Sequence, residues 1–370
     1  MAAPLYLHIK PVSGECGLHC RYCFYRDIAR SREVPSYGQM TEDTARTLIA
    51  KAMAYGRSAY VFAFQGGEPT LRGLDFYRRF LELVEQANTR RVPVSYAIQT
   101  NGMHMDAQWA AFLAQNRFLT GLSVDGTRDI HDFFRADGRG RGSFSAVLRA
   151  ARLLEEAGAD YNILTVVTKQ LARHIRQVYA FYKKQGWRYQ QYIPCLDPLE
   201  APRGSLPYSL TPARYGAFLE ELFDLWCADL LAGDPVSIRY FDNLADLCRG
   251  YPPESCGLSG VCACQHVVEA DGSVYPCDFY VLDAYRLGNI LTEDFQELDQ
   301  SPRLRTFVED SLRRPEECES CSWLPFCGGG CRRERDPVLG RAESPSVYCS
   351  AYRRFLPYAL PRLRRLTQRL

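Results

Sequence analysis

The sequence predicts an α/β fold. A partial (β/α)6 barrel with a helical connector is expected over residues 1–250. A small cysteine-rich domain with a closing helix is expected over residues 251–370. Three observations carry this. Strand-like and helix-like runs alternate six times in the first 200 residues, the pattern of a parallel sheet with helices outside. Polar and glycine-containing clusters follow the strand-like runs, at the end where such folds place their chemistry. After Tyr251 the character changes: nine cysteines occur and regular structure becomes sparse.

The elements follow in order. Strand candidates are 6–11, 60–65, 94–100, 120–124, 162–168 and 189–194. Amphipathic runs such as 42–54, 74–86, 144–157 and 171–184 lie between them. Right-handed crossovers curve such a sheet toward a barrel. Six units fall short of the eight of a closed barrel, so a lateral opening is expected. Residues 195–207 are rich in Pro and Gly and read as a loop. Two helices follow at 211–231 and 241–249. Residues 265–279 read as a hairpin that turns at Ala270-Asp271-Gly272-Ser273, because Asp-Gly is a strong hairpin signal. The tail 353–369 is basic, but its Leu, Phe and Tyr recur at helical spacing, so an amphipathic closing helix is expected.

Composition removes several function classes. Hydrophobic residues make up 46% of 370, enough for a sizeable core. A net charge of +2 with 24% charged residues argues against a nucleic-acid-binding stripe or a polybasic membrane anchor. No run approaches the ~18 apolar residues of a membrane span. No signal peptide is read, so a cytoplasmic location is expected. Fifteen cysteines in a non-secreted chain read as metal ligands rather than disulfides.

Cys16, Cys20 and Cys23 directly follow the first strand candidate. Three thiolates can hold three corners of a [4Fe–4S] cube and leave one iron open, whereas electron-carrying clusters usually take four cysteines. A zinc site, with His19 as a fourth ligand, is the alternative. Gln65-Gly66-Gly67-Glu68-Pro69 closes the second strand. Glycine lets backbone approach a ligand, and a carboxylate can pair with an ammonium. Downstream, Cys318-x2-Cys321-x5-Cys327-x3-Cys331 and Cys349 fit iron–sulfur ligation or, on spacing alone, a zinc ribbon. Cys195, Cys227 and Cys248 read as buried small hydrophobes.

The triad, the Gly-Gly-Glu-Pro turn and the later cysteines resemble the radical S-adenosylmethionine (SAM) enzymes with a SPASM-type auxiliary-cluster region. Gln65-Gly-Gly-Glu-Pro-Thr70, Gln99-Thr-Asn-Gly102, Ser237-Ile-Arg-Tyr-Phe-Asp242 and Tyr275-Pro-Cys-Asp-Phe-Tyr280 narrow the resemblance to the anaerobic sulfatase-maturating enzymes. That resemblance implies a radical SAM type of barrel. It implies oxidation of a Cys or Ser side chain in an unfolded sulfatase precursor to Cα-formylglycine by a 5′-deoxyadenosyl radical. It also implies three [4Fe–4S] clusters. The SAM-binding one would use Cys16, Cys20 and Cys23. One auxiliary cluster would use Cys256, Cys262, Cys277 and Cys331, with Cys264 an open alternative to Cys262. The other would use Cys318, Cys321, Cys327 and Cys349. SAM contacts would come from Tyr22, Gln65, Gly66, Gly67, Glu68, Gln99, Ser123, Arg135 and Leu196. Asp278 matches the family's proposed general base, with Asp283 and Asp271 weaker candidates. Asp242 and Arg239 are candidates for peptide binding. A low-potential donor such as flavodoxin or ferredoxin is implied; nucleic acid and membrane are not. The competing readings are a radical SAM enzyme forming thioether or carbon–carbon crosslinks, and a zinc-binding interaction module.

Overall fold

The computed structural model describes residues 3–335 and 344–368; Arg369, the end of the expected basic tail, lies outside them. Ten strands occur among the described residues: β1 (Leu5–Ile9), β2 (Tyr60–Phe64), β3 (Val94–Thr100), β4 (Phe118–Ser123), β5 (Tyr161–Val167), β6 (Tyr189–Pro194), β7 (Ser237–Ile238), β8 (Val267–Val268), β9 (Ser273–Tyr275) and β10 (Gly288–Asn289). The chain forms two compact units, residues 1–123, 135–161 and 263–307 in the first, and 124–134, 162–262 and 308–370 in the second.

In the first unit, β1 to β4 pair in parallel, with Leu7 opposite Phe62 and Phe62 opposite Tyr96. Leu5, Leu7 and Ile9 are buried while Tyr6 between them is exposed, the two-residue period of a strand. Helix Leu74–Ala87 buries Phe76, Tyr77, Phe80, Leu83 and Val84 from one face. Phe80 stands edge-on to Phe62 and Phe64, and each such ring contributes about 1.5–3 kcal/mol on burial. Helix Glu42–Ala54 starts at Thr41, whose hydroxyl accepts the Thr44 amide at 3.1 Å, a cap contributing about 1 kcal/mol.

The expected hairpin forms, but it is not a separate piece. β8 pairs in parallel with β1, with Ile9 opposite Val268, and β9 and β10 extend the sheet antiparallel beyond it. The strand order in this unit is therefore β10-β9-β8-β1-β2-β3-β4. The turn runs through Gly272 at φ 85°. The second strand stops at Tyr275, earlier than its sequence suggests. Pro276 has no N–H to continue the ladder, and Cys277 opens a short 3-10 turn, Asp278–Tyr280.

In the second unit β5, β6 and β7 pair in parallel. Helix Pro212–Leu231, capped by Thr211, packs against the closing helix Cys349–Thr367. The closing helix buries Ala351, Tyr352, Phe355, Leu356, Ala359, Leu360 and Leu363 along one stripe. The helix expected at 171–184 is two pieces, Lys169–Arg173 and Ile175–Lys184, because His174 (φ −119°, ψ 22°) leaves the helical region. Cys195 and Cys227 are buried as expected, while Cys248 is only half-buried. Among the described residues no helix is long and apolar enough to cross a membrane.

Candidate active site

The first cysteine loop is held against the end of β2. The Glu68 amide donates to the Glu15 carbonyl at 2.7 Å. Gly67 has φ 58°, and a Cβ there would lie 2.2 Å from that same carbonyl oxygen, so the close approach requires glycine. Cys16, Cys20 and Cys23 are all half-exposed. The Cys16 sulfur accepts the Leu18 amide at 3.4 Å and the Asn101 side-chain amide at 3.5 Å. Burial pushes the Cys16 thiol up to about 11, against those bonds. A bare thiolate is thus disfavoured, and a metal must replace the proton for the loop to carry ligands. Donated N–H groups, a half-open sulfur set and an adjacent Gly-Gly cradle fit a cluster with an open iron.

Glu68 does more than the sequence suggests. Its Oε1 accepts the Thr70 amide at 3.2 Å and the Thr70 and Thr100 hydroxyls at 2.6 and 2.7 Å, and its Oε2 accepts the Asn101 amide at 2.7 Å. The carboxylate ties the end of β2 to the end of β3 and leaves remaining acceptor capacity on Oε2 for an ammonium. Gln65 is buried and bonds His8 Nδ1 at 2.7 Å. Gly66 (φ 84°) lies against Lys10. Tyr22 lies under Arg135, whose guanidinium is 5.6 Å from the ring centroid, a cation–π contact. Gln99 is exposed near the end of β3, and Ser123 is half-buried at the end of β4. These residues share the first unit; Leu196, half-buried, belongs to the second.

Asp278 joins this neighbourhood through Tyr25, a residue not among the sequence-based candidates. The Tyr25 hydroxyl donates to Asp278 Oδ2 at 2.7 Å, and Phe24 packs on Phe279 at 4.8 Å. The Asp278 amide donates to Gln265 at 3.2 Å. Its Oδ1 is buried without a hydrogen-bond partner among the described residues. Burial holds the Asp278 carboxyl above the usual carboxylate range, against the pull of Lys10, the Tyr25 bond and His8. Burial and Asp278 keep Tyr25 protonated. Lys10 sits 5.3 Å from the Tyr25 ring centroid and pairs with Glu269 at 2.8 Å; Arg32 pairs with the same carboxylate at 2.6 Å. Burial would raise Glu269, but Lys10 and Arg32 outweigh it and hold the carboxyl below its usual range. Tyr25, two residues beyond Cys23, had a local signal in Cys-Phe-Tyr. Glu269 had none, because its role depends on β8 docking on β1.

The weaker acidic candidates have local partners. Asp271 accepts the Ser273 amide and hydroxyl at 2.9 and 2.7 Å within its turn. Asp283 accepts the Glu33 amide at 2.9 Å. In the second unit, Asp242 accepts the Ser237 hydroxyl at 2.6 Å, and exposed Arg239 reaches Gln191 at 3.2 Å and Glu254 at 3.5 Å.

Cys318, Cys321, Cys327 and Cys349 line one small pocket with Trp323 and Tyr352. The Gly329 amide donates to Cys327 sulfur at 3.4 Å. Four thiols lining one pocket fit four-cysteine ligation. Cys262 and Cys331 both feel the charge of Cys256, so these three thiols are neighbours. Cys277 belongs to the other unit. Cys264 also lies in the first unit, where it neighbours His266 and Asp299.

Comparison with known proteins points the same way. Residues 11–182 match the model of the radical SAM superfamily, and residues 261–322 that of an iron–sulfur cluster-binding domain. The chain is 46% identical over 355 residues to a cysteine-type anaerobic sulfatase-maturating enzyme of Clostridium novyi, covering 96% of this chain and 95% of that one. It is 31% identical over 362 residues to a serine-type anaerobic sulfatase-maturating enzyme of Klebsiella aerogenes, covering 98% and 86%. A solved structure of native anSMEcpe with bound AdoMet and Cp18Cys peptide is 44% identical, covers 99% of each chain and superposes with a TM-score of 0.95. The fold is the open parallel-sheet α/β fold expected for the superfamily, followed in sequence by an iron–sulfur cluster-binding domain.

Proposed function

The chain belongs to the anaerobic sulfatase-maturating enzymes, and we propose that it oxidises a cysteine side chain of a sulfatase precursor to Cα-formylglycine. It is a radical SAM oxidoreductase that uses SAM, a SAM-binding [4Fe–4S] cluster and auxiliary [4Fe–4S] clusters. When bound, SAM on its cluster supplies the 5′-deoxyadenosyl chemistry that removes a hydrogen from the target Cβ, and the auxiliary clusters supply an electron acceptor. The chain's own residues hold, orient and deprotonate.

Cys16, Cys20 and Cys23 would hold the first cluster, and Gly66, Gly67 and Glu68 would cradle the methionine end of SAM. Tyr22, Gln65, Gln99, Ser123, Arg135 and Leu196 would complete the SAM contacts, with Arg135 supplying a guanidinium for the carboxylate. Cys256, Cys262, Cys277 and Cys331 would hold one auxiliary cluster, and Cys318, Cys321, Cys327 and Cys349 the other. Asp278 accepts the thiol proton as the side chain is oxidised. Tyr25 orients that carboxylate, and Lys10 limits how far burial raises its pKa. The observation that carries the reading is the 2.7 Å bond from Tyr25 to Asp278. It joins the segment after Cys23 to the carboxylate beside Cys277, so hydrogen removal and proton removal are served by adjoining side chains.

The preference for cysteine over serine rests on the higher identity to the cysteine-type relative. None of the fifteen cysteines is paired in a disulfide, which supports a reducing, cytoplasmic setting. A low-potential carrier such as flavodoxin or ferredoxin would deliver the initiating electron. The test is anaerobic turnover of sulfatase-motif peptides carrying Cys, Ser or Ala at the target, read by mass spectrometry. Replacement of CH2SH by CHO in the Cys peptide is expected. A thioether or carbon–carbon crosslink without aldehyde would overturn the proposal.

A further inference from the structure

One cluster of ligand-type side chains is used by none of the roles above. Cys264, His266 and Asp299 each offer a donor atom, and the three atoms lie within 4.8 Å of one another. They come from two places in the first unit: the segment leading into β8, and the end of helix Phe295–Asp299. His266 is 6% exposed, and its ring stands edge-on to Phe295 at 5.4 Å. His266 Nε2 is 2.6 Å from Asp299 Oδ1. The His266 ring also hydrogen-bonds the Cys264 side chain, so it bridges the other two donors. Asp299 is steadied from its other side by Tyr55 and by Arg57 at 3.5 Å.

The geometry points to a zinc site held by Cys264, His266 and Asp299, distinct from the iron–sulfur sites, with water in the fourth position. One sulfur, one imidazole nitrogen and one carboxylate oxygen form a borderline donor set that suits Zn²⁺. Binding replaces protons, that of the Cys264 thiol and the one shared by His266 and Asp299. No oxidant or reductant is involved. The ion would staple the segment entering β8 to the helix ending at Asp299. It also accounts for the ninth cysteine of the C-terminal region, which four-cysteine ligation of two clusters leaves over.

The test uses anaerobically reconstituted holoenzyme carrying about twelve irons per chain. It is incubated with one equivalent of Zn²⁺, desalted and measured for zinc and iron. One retained zinc is expected. X-ray absorption should show one sulfur near ~2.3 Å and nitrogen or oxygen ligands near ~2.0–2.2 Å. Cys264→Ser should weaken zinc retention at least about tenfold and His266→Gln should abolish it, both with iron unchanged. Should His266→Gln fail to fold, Cys264→Ser still decides. No retained zinc would overturn the site, as would retention unaffected by Cys264→Ser or an all-sulfur shell. Loss of about four irons in Cys264→Ser would make Cys264 a cluster ligand and overturn it too.

Discussion

Replacing Tyr25 with phenylalanine removes one hydroxyl from the candidate site and should keep the neighbouring Phe24–Phe279 packing. The substitution deletes the 2.7 Å hydrogen bond to Asp278 Oδ2. Hydrogen bonds to charged groups contribute about 1.5–3 kcal/mol. Asp278 Oδ1 has no hydrogen-bond partner among the described residues, so this bond is not backed up on the other oxygen. It stabilises the ionised carboxylate, and Asp278 already lies above its ordinary range through burial. Removing the bond raises it further. A base with a higher pKa stays protonated to higher pH, so the acid limb of the activity profile moves upward. At about 1.4 kcal/mol per tenfold, formylglycine formation should fall about 10- to 150-fold on that limb and less at high pH. The assay is anaerobic turnover of the Cys peptide across pH, with deoxyadenosine measured by chromatography and formylglycine by mass spectrometry. Deoxyadenosine formation should persist. A wild-type aldehyde rate with an unmoved acid limb would refute the coupling of Tyr25 to Asp278.

Three further outcomes follow from the same geometry. Asp278→Asn should retain SAM cleavage and lose aldehyde formation by about 10²- to 10⁴-fold, the usual contribution of a general base; wild-type product yield would remove it from that role. Gly67→Ala forces a Cβ to 2.2 Å from Glu15 oxygen at φ 58°. The left-handed conformation costs about 1–2 kcal/mol and the broken Glu68–Glu15 bond about 1 more. SAM affinity should therefore fall about 30- to 150-fold by equilibrium binding. Glu269→Gln strands Lys10 and Arg32 in the interior and should lower stability by about 3–5 kcal/mol in denaturant titration. Because the Glu269 pKa is depressed in the fold, its stabilisation is complete above the ordinary value of 4.5 and is lost as pH falls through the folded value. Wild-type stability should converge toward that of the variant in acid.

What the sequence revealed and what it concealed divide along range of interaction. The six parallel strands were legible because burial on one or both faces writes a local pattern, as in Leu5-Tyr6-Leu7. Gly66-Gly67-Glu68 was legible because the turn is local, although the hydrogen bonds that Glu68 accepts from Thr70, Thr100 and Asn101 needed β3 beside β2. The docking of β8 on β1 was not legible, since partners more than 250 residues apart leave no shared period. With it went the Lys10–Glu269–Arg32 cluster and the bond from Tyr25 to Asp278. Asp278 was singled out by its place after Cys277, a family pattern, and its buried surroundings became visible only in the fold. Cys262 and Cys264 could not be separated by spacing. Within its own unit Cys262 lies beside Cys256 and Cys331, and within the other Cys264 lies beside His266.

The most direct measurement uses a Cys peptide with both target Cβ hydrogens replaced by deuterium, turned over anaerobically with excess SAM and reductant. One deuterium should appear in one deoxyadenosine for each formylglycine formed. Aldehyde formed without label in deoxyadenosine would contradict hydrogen removal from the target Cβ. Labelled deoxyadenosine with a crosslinked peptide and no aldehyde would contradict formylglycine as the product.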